Sequence, residues 1–209
     1  HSEILERFQN GEINILVGTQ MVTKGLDFGN VTLVGIIHAD RLLAFPDFRA
    51  LERSFQIMVQ VAGRAGRGDQ PGSVFIQTTQ PDHWIYPLIQ KHQYEAFYEK
   101  EITERYHFAY PPFIRLIQLT LKNKNESEVE ETAVFLSQLL RQTFSEGILG
   151  PEKPFVSRIN LYHIRIITIK LANGKNLTSD KGKIKKLIEG LKMHPPHHKT
   201  RVNIDVDPQ

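Results

Sequence analysis

The chain contains no cysteine. That excludes a disulfide scaffold, a Cys-ligated zinc site, a C-x-x-C redox pair and a cysteine nucleophile. No apolar run reaches the roughly 18 residues that a membrane helix needs, so no membrane partner is expected. The opening residues, His-Ser-Glu-Ile-Leu-Glu-Arg, have no apolar stretch of the signal-peptide kind and no initiator Met. Internal repeats and low-complexity segments are also absent. What is present suits an ordered, soluble, cytoplasmic protein. Hydrophobic residues make up 40% and charged residues 23% of 209 residues, enough for a packed core. The length fits one ordinary domain or two small ones.

Net charge is +3, which alone says little about partners. Its distribution says more. Residues 160–201 hold ten Lys/Arg against two acids, whereas residues 95–131 hold eight acids against five bases. The C-terminal part is therefore positioned to attract polyanions.

Hydrophobic patterning divides the chain. Residues 3–8 read as the tail of a helix stopped by Asn10-Gly11. Residues 13–18 and 31–38 are short, almost wholly apolar runs, the pattern of strands buried on both faces. Pro46-Asp47 is expected to open a helix. Its apolar stripe is Phe48, Leu51, Phe55, Met58, Ala62 and Ala65, ending near Gly66 and Gly68. Residues 73–77 form a third strand. Strands alternating with helices predict a parallel α/β layer over 1–80. Residues 81–112 are helical, acidic and aromatic, a connector ending at Tyr110-Pro111-Pro112-Phe113. Beyond it, strands over 114–121, 155–160, 162–171 and 201–206 and helices over 126–144 and 179–192 spell β-α-β-β-α-β. That order predicts a four-stranded antiparallel sheet with two helices on one face, over 113–209.

The most informative residues are Gln60-Val61-Ala62-Gly63-Arg64-Ala65-Gly66-Arg67. At roughly 100° per helical residue, Gln60, Arg64 and Arg67 share one face, opposite Met58, Ala62 and Ala65. Gly63 and Gly66 would leave room beside the arginines for a bulky group. A planar, permanently charged guanidinium suits phosphate, including a transferring γ-phosphoryl.

Residues 60–67 resemble motif VI of the superfamily 2 helicases, Q-x-x-G-R-x-G-R. Gly18-Thr19-Gln20-Met21-Val22-Thr23-Lys24-Gly25-Leu26-Asp27-Phe28 resembles motif V in the form used by the primosomal replication-restart helicases. Ala39-Asp40-Arg41, Pro46-Asp47-Phe48-Arg49-Ala50-Leu51-Glu52-Arg53, Leu149-Gly150-Pro151 and Asp205-Val206-Asp207-Pro208 fit that family in the same order. The likeness spans essentially the whole chain.

The resemblance implies a 3′→5′ DNA helicase, driven by ATP and Mg2+, that binds stalled forks and restarts replication through primosome assembly. This chain would supply a truncated RecA-like lobe 2 and then a domain similar to ribosomal protein S10. Arg67 would be the arginine finger, with Arg64 contacting phosphate or holding it. Gly25, Asp27 and Gln60 would lie near ATP, and Thr19, Gln20 and Lys24 would hold DNA. Partners implied are DNA, single-strand-binding protein and primosome proteins, with Lys181, Lys185 and Lys186 as docking candidates. The family's zinc lies in a cysteine-rich insertion upstream of this region. No metal is expected here. His194, His197 and His198 sit in a proline-rich loop without a carboxylate cluster.

No G-x-x-x-x-G-K-[ST] phosphate loop occurs, nor the acidic pair that holds magnesium, so the chain alone is expected to hydrolyse no ATP. Two other readings fit the residues less well. One is a docking module with vestigial motifs. The other is a branch-migrating, RecG-type superfamily 2 helicase, against which Thr-Lys-Gly-Leu-Asp-Phe and Asp-Phe-Arg-Ala speak.

Overall fold

The computed structural model describes residues 2–19, 31–66 and 71–208. It divides into two compact units, His1–Ile102 and Thr103–Gln209. Among the described residues, no helix is long and apolar enough to cross a membrane.

In the first unit, helix α1 (Ser2–Gln9) stops where Gly11 takes a positive φ of 75°. The Glu12 amide closes the turn on the Arg7 carbonyl at 2.9 Å. Strand β1 (Leu33–Ile36) pairs in parallel with β2 (Ser73–Ile76), in register from Leu33 opposite Ser73 to Ile36 opposite Ile76. Between them run a four-residue helix, α2 (Asp40–Leu43), and the crossover helix α3 (Ala50–Ala62). Two further helices follow, α4 (Ile85–Gln90) and α5 (Tyr94–His107). The helical stretch after β2 is more than a spacer. Ile85, Tyr86, Ile89 and Phe97 join Ala39, Phe55 and Met58 in one buried cluster. Phe97 stacks on Phe55 with ring centroids 4.4 Å apart, and Lys100 lies 4.0 Å over the Trp84 ring.

Two expectations fail here. Residues 13–18 form no strand: Ile15 and Val17 are 78% and 88% exposed, and no ladder among the described residues reaches them. An apolar run becomes a strand only when an edge pairs with it, and β1 pairs with β2 alone among the described residues. The helix expected from Pro46-Asp47 starts at Ala50. Asp47 instead makes a turn, its carboxylate accepting from the Arg49 amide at 2.9 Å and pairing with Arg53 at 2.7 Å.

The second unit is the split β-α-β arrangement. Its elements are β3 (Ile114–Asn123), α6 (Glu126–Thr143), β4 (Ile148–Glu152), β5 (Arg158–Ile159), β6 (Tyr162–Ala172), α7 (Leu177–Leu191) and β7 (Arg201–Val206). The sheet order is β4-β6-β3-β7, all antiparallel, with β5 paired to β6. Ile117, Leu119 and Leu121 of β3 and Ile167, Ile169 and Leu171 of β6 meet one stripe from each helix. Those stripes are Val129, Ala133, Leu136 and Leu140, and Ile184, Ile188 and Leu191. Asn125 caps α6 by accepting from the Ser127 and Glu128 amides.

The strand expected over 155–160 is misplaced. Its main counterpart is β4, and only Arg158–Ile159 of the expected span is extended. Gly147 and Gly150 both take positive φ and approach the β6 backbone too closely for a Cβ, at 2.4 and 2.7 Å. A glycine and a proline in a short, bulged strand hide its apolar alternation.

Leu136 is wholly buried and Phe155 is 99% exposed. Leu136→Ala should therefore destabilise the second unit by about 2–5 kcal/mol. Phe155→Ala should stay within about 0.5 kcal/mol. Urea unfolding followed by circular dichroism reads both, and equal effects would contradict this packing.

Candidate functional site

Parallel strands cannot be joined by a tight turn, so β1 reaches β2 through a crossover that must be fastened at both ends. At the C-terminal end, the Ala39 amide donates to the Gln77 carbonyl at 3.0 Å. Asp40 follows at once. Its carboxylate accepts from the Thr78 hydroxyl at 2.5 Å and from the Thr79 amide and hydroxyl at 2.8 and 3.0 Å. Tyr86 donates to the Thr78 hydroxyl at 2.9 Å. These donors, Thr78 first and the Thr79 amide second, hold the Asp40 carboxyl below its ordinary value of 3.8.

At the other end, α3 stops at Ala62, with the Gly63 amide donating back to Val59. Arg64 and Ala65 continue as a tight turn of three-residue hydrogen bonds to Val61 and Ala62. The Gly66 amide then donates to the Val31 carbonyl at 3.0 Å, beside the start of β1. Arg64 therefore lies in a turn and not on a helical face. The single face expected for Gln60, Arg64 and Arg67 is not continued, because Gly63 ends the helix one residue earlier. Gln60 is exposed on the last turn of α3. Arg64 is half-buried, with its Nε closed off from solvent.

Gly66 also acts differently from expectation. Gly66 has φ +73°, and a Cβ there would lie 2.5 Å from the Gly72 nitrogen. A Cβ on Gly72 would lie 2.2 Å from the Gly66 nitrogen. The room they leave is filled by the chain's own backbone, which clasps the turn against the start of β2.

Thr19 is exposed at the end of the irregular segment, so it does not follow a strand. Gln20, Lys24, Gly25, Asp27 and Arg67 lie outside the described residues. Among the described residues, no group of three or more His, Asp or Glu could hold a metal ion.

In the second unit, Lys181, Lys185 and Lys186 are exposed on α7, with the Lys185 ammonium 3.9 Å from Glu189. Arg165 is buried on β6 and satisfied, donating to Glu130, to Glu126 at 3.1 Å and to its neighbour's carbonyl at 2.9 Å. Arg165 and then Lys153 hold the Glu126 carboxyl below its usual range. His197 is structural. Its Nδ1 is 3.1 Å from the Thr132 hydroxyl, and its ring stacks on Phe135 at 4.6 Å. Asp207 ties the chain's end to the start of β3, accepting from Arg115 and from the Leu116 amide at 3.0 Å.

Sequence reasoning missed Asp40 as a clamp and Gly72 as half of a clasp. Both act on backbone brought near by the crossover, which no local pattern encodes. It also missed a cationic cleft formed by Lys124, Lys199 and Arg201 beside Tyr162.

A parallel α/β unit closed by a Gly-Arg-Ala-Gly turn is followed by a split β-α-β unit. Residues 1–69 match the helicase conserved C-terminal domain, and residues 106–209 match the primosomal protein N C-terminal domain. The replication restart protein PriA of Synechocystis is 47% identical over 163 residues, covering 76% of this chain and 19% of that protein. PriA of Bacillus subtilis is 38% identical over 210 residues, covering 100% of this chain and 26% of that protein. PriA of Treponema pallidum is 40% identical over 168 residues, covering 79% and 26%. The chain belongs to the PriA family of replication restart proteins and spans about a fifth to a quarter of the length of these relatives.

Two glycine substitutions test the packing, one in each unit. Gly72→Ala should lower the melting temperature of the first unit, since backbone must shift to admit the methyl. Gly182→Ala, in an open interior position of α7, should stabilise by about 1 kcal/mol. Calorimetry reads both signs. Separately, the lowered Asp40 pKa gives stability that is present above pH 3.8 and is lost as pH falls through the folded-state value. Thr78→Val should raise the Asp40 pKa in a carboxyl NMR titration; an unchanged value would remove the clamp.

Proposed function

We propose that this chain supplies the second motor lobe and the C-terminal docking domain of an ATP-driven 3′→5′ DNA helicase that binds stalled forks. The observation that carries this reading is the Gly63–Gly66 turn, where Arg64 sits on a backbone fastened to the edge of a parallel sheet. A guanidinium fixed in this way meets a phosphate without first being ordered, which is how charge stabilisation of phosphoryl transfer works.

Arg67, three residues on, is the arginine finger for the γ-phosphate, and Arg64 steadies it or contacts phosphate itself. Gln60, Gly25 and Asp27 approach the nucleotide. Thr19, Gln20 and Lys24 take strand phosphates through a hydroxyl, an amide and an ammonium.

The residues present suit half of a nucleotide site. The described ones offer the donors Gln60 and Arg64 but no carboxylate group for Mg2+. The phosphate loop and the magnesium ligands belong to the other lobe of such a motor, and bound ATP with Mg2+ would supply the energy of translocation. Exposed Leu33, Ile37 and Phe75 on and beside the two-stranded sheet support a lobe that packs against further protein. In the second unit, Lys181, Lys185 and Lys186 offer an exposed cationic helix face for DNA or for an acidic segment of single-strand-binding protein. Primosome proteins are the remaining partners of this reading.

The purified chain should show no DNA-stimulated ATP turnover. In the longer parent protein, Arg67→Ala should lower turnover by about 10³–10⁵ while leaving DNA affinity intact. Turnover by the chain alone, or an Arg67→Ala enzyme within about tenfold of wild type on that same scale, would overturn this assignment.

A further inference from the structure

We propose that one end of the open sheet face in the second unit is a binding site for the phosphodiester backbone of nucleic acid, held by Lys124, Lys199 and Arg201. It rests on the reading of this chain as a DNA-binding part and adds a location to it.

The helices cover one face of the sheet, and alternation sends the remaining β3 side chains to the other. On that open face Lys122 of β3 stands directly opposite Arg201 of β7. Past the end of β3, Lys124, Lys199, Arg201 and Tyr162 line an open cleft of about 430 Å³ with Asn123, Asn125 and Glu128. A small-molecule pocket is enclosed and mostly apolar. This cleft has one ring and otherwise polar walls, which suits a charged chain passing across it.

The electrostatics point the same way. Among the described residues, no carboxylate pairs with Lys124, Lys199 or Arg201, although Arg165 nearby has two. The cleft's one acid, Glu128, is engaged by amides, accepting from Asn123 at 3.0 Å and from Asn125 at 3.3 Å. Three cations against one carboxylate leave the cleft net positive, and a bound anion relieves the remaining repulsion.

The cations are also pre-positioned. Thr200, between Lys199 and Arg201, is buried and held by the Asn123 amide at 3.0 Å and the Thr132 hydroxyl at 3.1 Å. Thr132 in turn contacts His197, which stacks on Phe135. The loop of prolines and histidines thus acts as a brace. It fixes the backbone from which Lys199 and Arg201 project in adjacent positions. The Arg201 guanidinium lies 5.4 Å over the Tyr162 ring, which restricts it further. The asparagines are turned inward, Asn123 to Glu128 and Thr200 and Asn125 to Glu128 and the start of α6, which leaves the exposed cations to meet phosphates.

The test is fluorescence anisotropy of the whole 209-residue chain with a labelled single strand and a labelled duplex, over a salt series. In Lys124→Gln/Lys199→Gln/Arg201→Gln, the slope of log K against log salt should shrink by about two to three units, at roughly 0.7–0.9 per phosphate contact. Melting should be unchanged, because all three side chains are exposed. Glu128→Gln removes the cleft's negative charge and should tighten binding by about two- to fivefold, an effect no folding defect mimics. If the wild-type chain binds DNA and the triple variant keeps its slope and affinity, the site is wrong and the DNA-binding reading stands. If the wild-type chain binds no DNA at low salt, both fall. If the triple variant loses an acidic peptide while keeping DNA, the cleft is a peptide site and this proposal is overturned.

Discussion

Parallel pairing of β1 with β2 is the constraint on which the first unit depends. Strands that run the same way need a crossover of a dozen or more residues, and that loop must be closed at both ends. Here the two closures differ in kind. At the C-terminal ends of the strands a charged clamp does the work, with Asp40 taking three hydrogen bonds from Thr78 and Thr79. At the N-terminal ends the closure is steric, two glycines letting backbone approach backbone. Helix α3 spans the gap between them and buries Phe55 and Met58 on the way. The turn that carries Arg64 is a by-product of this closure, because the chain must leave the helix and return to the sheet edge there.

The second unit faces a different problem. Its antiparallel sheet joins strands far apart in sequence, β3 with β6 and β7, and some polar side chains fasten that pairing while others stay exposed. The basic stretch at residues 160–201 separates into distinct roles. Arg165 is consumed internally by Glu126 and Glu130. Lys170 lies over Tyr110 and donates to the Phe108 carbonyl at 2.7 Å, its pKa lowered by burial. Lys183 pairs with Asp180 on its own helix at 2.8 Å. Lys199 and Arg201 have no such partner among the described residues. A charge count over sequence cannot separate these cases, because the separation depends on which carboxylates the fold brings within reach.

That difference marks what was legible in the sequence. Elements with long, regular alternation or a full helical stripe were readable, as β7 at Arg201–Val206 and α6 at Glu126–Thr143 demonstrate. So was the β-α-β-β-α-β order of the main path, to which the two-residue β5 adds a fifth strand where four were expected. Residues 13–18 failed because apolarity measures burial propensity and not the presence of a pairing edge. Strand β4 failed because Gly150, like Gly147 just before the strand, serves the neighbouring backbone and leaves few side chains to alternate. Arg64 was visible as chemistry, but its geometry was misread. A helical wheel assumes the helix continues, and Gly63 ends it.

The misreading bears on how the motif works. On a continuous helix, Arg64 would project at a fixed angle, and the glycines would serve only as clearance for a ligand. In the turn, the glycines position the arginine. Gly63 ends the helix, Gly66 takes a left-handed conformation, and its amide locks to Val31 at 3.0 Å. An alanine at Gly66 would strain the backbone at φ +73° and collide with Gly72, moving Arg64 without touching its side chain. Gly63, Gly66 and Arg64 are therefore one device. The glycines fix the path of the backbone, and the path sets where the charge stands. In the proposed role, a backbone already fixed beneath Arg64 lessens the reorganisation needed to meet a phosphate.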